Sequence, residues 1–256
     1  MFNGESEGLP LRIAVRRWAA CAAGLDGLAA WREWSRRPWL PVGDGMPALP
    51  AMAPMLKRRL NRLGRLALQA AWDCQGDELG VPIVFASRYG DAARSLALLE
   101  DLMCGREVSP TGFNMSVHNA IGALYAIARA DRSNTVSLAA GRASAGAGLL
   151  EAAALMADGA PEVMLVCYDD TLPEPYEAYR DEAPCAWAWA WRVARAVPGE
   201  AAITLSTCGG VYDDVPAAAA LPAGLDVLRF FLSGEPRLEQ RLEGRRWVWQ
   251  REAADA

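Results

Sequence analysis

The sequence predicts an α/β protein in which helices are layered on a mainly parallel central sheet. Its middle contains three apolar runs typical of buried strands: "VPIVFAS" (81–87), "NTVSLAA" (134–140) and "PEVMLVCYDD" (161–170). Segments with helical periodicity separate these runs, and such alternation is typical of parallel βαβ units. A chain of 256 residues that is 52% hydrophobic and 22% charged can also bury a substantial core.

The elements of the first half follow from local patterns. "LRIAVRR" (11–17) predicts a strand, and "LDGLAAWREWSR" (25–36) predicts a short helix before a loop rich in Pro and Gly. Leu residues recurring at helical spacing predict one helix over 55–74. The next helix is expected over 91–104, with Asp91 near its start and an inward apolar face. That face consists of Leu96, Leu99, Leu102 and Met103.

The segment 106–119, "REVSPTGFNMSVHN", is predicted to be a loop because Pro110 interrupts it. A helix is expected over 120–130, and another in the Ala- and Gly-rich stretch that follows the strand at 134–140. These elements make up a core of about residues 10–170.

The last third is predicted to be a small Trp-rich β extension, over about 184–251, of a single domain spanning 1–256. "CAWAWAWRVA" alternates with period two, which places Trp187, Trp189 and Trp191 on one face. Further strands are expected at "AAITLS" and "RRWVWQRE", with a helix at "LDVLRFFLSG" between them. The aromatic face is interpreted as packed core, with a ligand-binding platform as the alternative.

Composition excludes several classes of protein. The net charge of −5 disfavours a nucleic-acid-binding protein, although residues 1–65 carry 11 Lys or Arg against 5 Asp or Glu. The six cysteines form no CxxC pair, so neither a metal site nor a cofactor is predicted. Cys208, in "STCGG", is the cysteine expected to be most exposed. Neither a signal peptide nor a membrane span is evident, which predicts a cytoplasmic protein.

The most informative stretch is "SLAAGRASAGAGLLEAAALM" (137–156), which reads as a strand, a sharp turn and a helix. Several enzyme folds present a nucleophile at such a turn, near the amides and positive dipole end of the helix. Gly141, Ser144 and Gly146 shape the turn and the helix start, but Arg142 stands at the tip. A guanidinium stays protonated and is no nucleophile. Arg142 is therefore expected to point away or to bridge to a carboxylate, a carbonyl or a partner group.

Ser144 leaves an alternative open. "GRASAG" does not match the GxSxG elbow, and a helix-cap role is the simpler interpretation of this serine. His118 is the only histidine in the chain. A serine acyltransferase or thioesterase that uses Ser144 with His118 is therefore the alternative function.

Two stretches resemble the N-terminal half of a β-ketoacyl synthase, a family with the thiolase fold. They are "SPTGFNMSVHNAIGALYAI" and "SLAAGRASAGAGLLEAAALMADGAPEVMLV", and the resemblance extends over about residues 10–170. Ser137 and Ser144 match serines of the family, whereas Arg142 falls on the catalytic cysteine. The family's two catalytic histidines and its lysine in the C-terminal half are missing. In this combination the chain resembles the short chain length factors of aryl polyene pigment clusters.

The resemblance implies a non-catalytic subunit that forms a heterodimer with a full-length β-ketoacyl synthase and shapes its acyl tunnel. It also implies indirect contact with an acyl carrier protein. Six consecutive or nearly consecutive residues are expected to line the tunnel or the interface: Phe113, Met115, Ser116, Val117, His118 and Asn119. Packing in the core is the alternative for them. Arg58, Arg59 and Arg62 form a basic face, either simply solvated or a docking surface for an acidic carrier protein.

Overall fold

The structure is a computed structural model that describes residues 10–209 and 221–254. The first nine residues, where no signal peptide is predicted, lie outside the described range. Within it, eight strands form one sheet in the order β3-β2-β4-β5-β1-β6-β8-β7. The strands are β1 (Leu11–Ala22), β2 (Ile83–Ala86), β3 (Thr135–Leu138), β4 (Glu162–Asp169), β5 (Trp187–Arg195), β6 (Ala202–Gly209), β7 (Arg237–Leu242) and β8 (Arg245–Glu252).

The expectation of a mainly parallel sheet is wrong. Only the pairs β2–β3 and β2–β4 are parallel, and the other five strand pairs of the described sheet are antiparallel. The three parallel strands are those separated by helices, because a parallel connection needs a long crossover. Among the remaining strands, β7 and β8 are joined by a short turn. The others pair with strands that are distant in the sequence.

The Trp-rich strands are not an extension beside the core. β5 lies between β4 and β1, and β1 in turn pairs with both β5 and β6. The three tryptophans of β5 are at most 3% exposed, so they are core residues and provide no ligand platform. The alanines between them are also fully buried on the opposite face, since helices cover both sides of the sheet at this position.

Helices pack on both faces. One layer contains α1 (Gly27–Arg36), α7 (Ser144–Ala157) and α8 (Ala223–Ser233), and its core includes the β5 tryptophans. The other layer contains α3 (Arg62–Gln75), α5 (Pro110–Ser116) and α6 (Ala120–Arg129). Two further helices, α2 (Pro54–Lys57) and α4 (Ala92–Met103), have no buried residues.

Three local expectations need correction. The helix expected over 55–74 is two helices, because the Asn61 side chain accepts a hydrogen bond from Gly64 N and so starts α3 afresh. The loop expected over 106–119 contains α5, in which Pro110 occupies the first turn, where a missing N–H does no harm. Asp91 does cap α4, but the expected inward face of that helix is exposed at Leu99, Leu102 and Met103.

Candidate functional site

The turn before α7 is built by backbone and serine contacts. Gly141 has φ of +54°, a conformation that side chains disfavour. Ser144 Oγ accepts a hydrogen bond from Ala140 N at 3.1 Å and donates one to Gly141 O at 2.7 Å. Ser144 is the first residue of α7 rather than its cap, and its hydroxyl holds the turn closed. Both hydrogen-bonding functions of this hydroxyl are therefore used structurally.

The alternative pair of Ser144 and His118 is not assembled. His118 Nε2 lies 2.9 Å from Ser87 O, and the ring packs against Gly90, where an added Cβ would approach Cδ2 to 2.9 Å. No hydrogen bond joins His118 to Ser144 among the described residues. The geometry therefore lacks the contact between nucleophile and base on which a serine hydrolase depends.

The Arg142 side chain is only 8% exposed and belongs to a cluster of four charged residues. Its Nε lies 3.9 Å from an Asp181 carboxylate oxygen. Arg88, also with an 8% exposed side chain, pairs with Asp181 and with Glu182, the latter at 3.1 Å. We call Arg88, Arg142, Asp181 and Glu182 the charge cluster. Among the contacts expected for Arg142, the structure shows the bridge to a carboxylate, through Asp181.

The charge cluster lies at the carboxyl ends of the parallel strands, because Arg88 follows β2 and Arg142 follows β3. In α/β sheets, ligands usually bind at this end. Here Glu182 accepts a hydrogen bond from Ala223 N at 2.8 Å, which ties the cluster to the start of α8. Burial raises the pKa of Glu182, although that hydrogen bond and the two arginines oppose the shift.

Asp169, at the end of β4, is a partly buried carboxylate beside the cluster. It accepts hydrogen bonds from Ser87 Oγ at 3.0 Å and from Arg88 N at 2.9 Å. Burial raises its pKa to about 7, against these two hydrogen bonds. The cavity next to Asp169 and Glu182 measures about 30 Å³, enough for about one water and far too small for an acyl chain.

Asp169→Asn is expected to remove part of the pH dependence of stability. Since the folded pKa of Asp169 is raised above its usual value, the folded state holds this proton while the unfolded state loses it. The contribution of the protonated Asp169 to the free energy of unfolding is thus fully present below about pH 4. It is lost as the pH rises to about 7. The asparagine oxygen can still accept both hydrogen bonds. Between pH 5 and pH 8, the Tm of the variant should rise relative to the Tm of the native protein. A difference in Tm that does not change with pH would contradict this.

The small residues of α7 serve packing against the sheet. A Cβ on Gly146 would lie 2.6 Å from the Trp247 ring, and one on Gly148 would lie 2.6 Å from the Leu165 side chain. The close neighbours of this helix face are therefore β8 and β4 of the same chain.

The six residues expected at a tunnel or interface have different environments. Met115 is buried in the layer of α3, α5 and α6, whereas Phe113 and Val117 are 57% and 41% exposed. Ser116 and His118 are partly buried, and Asn119 is exposed at the start of α6. Three side chains of the neighbouring helix α4 are exposed as well: Leu99, Leu102 and Met103. We call these three residues, with Phe113 and Val117, the α4–α5 surface.

The basic face is smaller than the sequence indicates. Arg58 and Arg59 are exposed, but Arg62 is tied to Asp170, to which its Nε donates at 3.0 Å, and it pairs with Asp44 at 3.2 Å. Hydrogen bonding to Asp170, opposed by burial, raises the pKa of Arg62. Arg62 therefore fixes the start of α3 against the end of β4.

Cys208 is buried, with Arg246 Nε 3.3 Å from its sulfur, and Cys104 is the exposed cysteine among the six. No helix within residues 10–209 and 221–254 is long and apolar enough to span a bilayer. Nor do the described residues contain three His, Cys, Asp or Glu side chains grouped to hold a metal ion.

Comparisons with solved structures identify similar folds. The chain is similar to one in the structure of the ketosynthase ApeO in complex with its chain length factor ApeC from Xenorhabdus doucetiae. The TM-score is 0.80 at 25% identity, over 94% of this chain and 99% of that one. The structure of the ishigamide ketosynthase/chain length factor gives a TM-score of 0.73 at 14% identity, over 95% and 99%.

A third similar structure is a β-ketoacyl synthase from Burkholderia phymatum, with a TM-score of 0.60 at 12% identity over 88% of this chain and 71% of that one. These similarities confirm the thiolase-like α/β fold. The comparison with curated protein sequences finds no match.

The family model described as "Beta-ketoacyl synthase, N-terminal domain" matches residues 31–250. The match extends well beyond residue 170, and it includes the Trp-rich strands that lie inside the sheet. It also includes both stretches that carry the family resemblance, residues 109–127 and 137–166, and confirms that resemblance. The chain therefore belongs to the β-ketoacyl synthase N-terminal domain family.

Proposed function

We propose that this protein is a non-catalytic ketosynthase-like subunit, a chain length factor, that pairs with an active β-ketoacyl synthase in polyketide biosynthesis of the aryl polyene type. The observation that carries the proposal is Arg142. At the position of the family's nucleophilic cysteine, the chain has a permanent cation engaged with an internal carboxylate, Asp181. Such a turn cannot accept an acyl group.

The first solved structure described above supports the pairing, since it contains a ketosynthase with its chain length factor. This chain covers 99% of the matched chain, so the two have similar lengths. By contrast, it covers only 71% of the synthase from Burkholderia phymatum.

The edge of the sheet offers a docking site for the partner. Within the described residues, β3 has β2 as its one neighbour. Asn134 O and Leu138 O accept hydrogen bonds from Ile83 N and Ser87 N, so the even-numbered residues of this strand bond to β2. In a parallel ladder the residues between them, Thr135 and Ser137, then direct their N–H and C=O groups outward. Pairing with an edge strand of the synthase would satisfy these groups.

The α4–α5 surface is the second part of this proposed interface. Its exposed apolar side chains form a patch of the kind that marks protein–protein contacts. Phe113 and Val117 would lie at the partner's acyl tunnel, whereas Met115 supports them from the core. The exposed Arg58 and Arg59 would contact an acidic carrier protein in the cytoplasm. Arg62 is excluded from this role by its pairing with Asp170.

Co-expression with a full-length β-ketoacyl synthase from the same genome tests the proposal. We expect a stable one-to-one complex by size-exclusion chromatography with light scattering. We also expect no condensation or decarboxylation of malonyl-carrier substrates by this chain alone. Two independently migrating species would refute the pairing, and turnover by the isolated chain would refute the non-catalytic role.

A further inference from the structure

The hairpin turn between β7 and β8 brings a carboxylate to the turn at Arg142. Glu243 and Gly244 form this turn with φ of +52° and +66°. Two consecutive positive φ values are typical of tight hairpin turns, but Glu is an uncommon residue at such a position. Backbone strain of this kind persists where the surroundings hold it in place.

The Glu243 carboxylate accepts a hydrogen bond from Arg142 N at 2.9 Å. It lies directly over Gly141, where an added Cβ would overlap the carboxylate. Gly141 therefore allows both the positive φ and the close approach of this side chain. The backbone amide at the tip of the turn is occupied by an anion that belongs to the chain itself.

We infer that Glu243 is a second inactivating residue of the turn, independent of Arg142. An acyl-transfer site needs backbone amides free to stabilise a developing oxyanion, and a nucleophile whose anionic form is favoured. The Glu243 carboxylate occupies the Arg142 amide by hydrogen bonding. Its negative charge also disfavours the anionic form of a nucleophile at position 142. A thiol restored at position 142 would therefore be less reactive while Glu243 is present. The inference deepens the proposed function, because it explains inactivity beyond the loss of the cysteine.

Alkylation of an introduced thiol tests this inference without a partner protein. The variants compared are R142C, R142C/E243Q and a matched control, R142C/E239Q. Glu239 suits the control because it lies on the same hairpin but is exposed and pairs with Arg237 and Arg241. Iodoacetamide modification at position 142 is followed by peptide mass spectrometry from pH 6 to pH 10. That readout separates position 142 from the six native cysteines.

Removing the Glu243 charge is expected to lower the apparent pKa of the introduced thiol by about one unit. That gives about tenfold more thiolate at pH 7 and about threefold faster alkylation, because a thiolate of lower pKa is a weaker nucleophile. The E239Q control should behave like R142C alone. Equal alkylation profiles for R142C and R142C/E243Q would overturn the inference. Formation or loss of a complex with a synthase affects neither result, so failure here is distinct from failure of the proposed pairing.

If R142C does not fold, amide hydrogen exchange in variants that keep Arg142 tests whether Glu243 occupies the Arg142 amide. Exchange of the Arg142 amide is expected to be at least about tenfold faster in E243A than in E239A, since only the first variant removes its acceptor. Unchanged exchange in E243A would overturn the inference.

Discussion

Replacing Ser137 with proline is expected to weaken complex formation with the synthase by at least about tenfold. Ser137 directs its N–H outward from the edge of the sheet, so proline removes a donor to the partner without breaking a hydrogen bond to β2. A carbonyl of the partner left unpaired in the interface costs about 1–3 kcal/mol. The measurement is the Kd of the complex by calorimetry, or co-purification where the complex does not dissociate.

Ser137→Ala is the matched control, because it changes the side chain and keeps the backbone amide. It should bind the synthase like the native protein. The free-energy of unfolding of Ser137→Pro alone, measured in urea, verifies that the sheet still forms. A folded Ser137→Pro variant with native affinity would show that the partner does not pair with β3.

The second large effect is expected from Arg88→Ala. The Arg88 guanidinium is almost fully buried and pairs with both Asp181 and Glu182. Its removal leaves Glu182 in a buried position with one arginine fewer, beside Asp169. Breaking a buried charge pair by deleting one partner typically costs about 3–5 kcal/mol. Urea unfolding at pH 7 should show a loss of that order in the free energy of unfolding.

Arg106→Ala is the control for Arg88→Ala. Arg106 also pairs with an aspartate, Asp101, but the two side chains are 57% and 38% exposed. Water and salt screen such pairs, so no measurable loss of stability is expected. If the two variants had similar effects on stability, the charge cluster would not be the structural element described above.

The sequence predicts the parallel part of the fold well because its signals are local. Strands β2, β3 and β4 are short apolar runs, and the helices between them show regular periodicity. The antiparallel half is harder to predict, since the pairing of β1 with β5 and β6 joins segments far apart in sequence. Tryptophan alternation indicates a strand at 187–191 but carries no information about its neighbours.

Half of the candidate site could be predicted. Arg142 and Gly141 stand out from the local pattern, whereas their partners Asp181, Glu182 and Glu243 come from distant segments without a motif. A signal for Arg88 and Asp169 does exist, since Asp169 ends β4 and Arg88 comes just after β2, and these two strands are parallel neighbours. Polar residues at the carboxyl ends of such strands tend to meet.

The position of β1 also determines when the chain can fold during synthesis. Residues 11–22 leave the ribosome well before the two strands that flank them, which lie after residue 186. The nascent chain must therefore keep this largely apolar segment unpaired until β5 and β6 have emerged. A fragment ending near residue 170 would lack this closure and would be a substrate for chaperones and proteases.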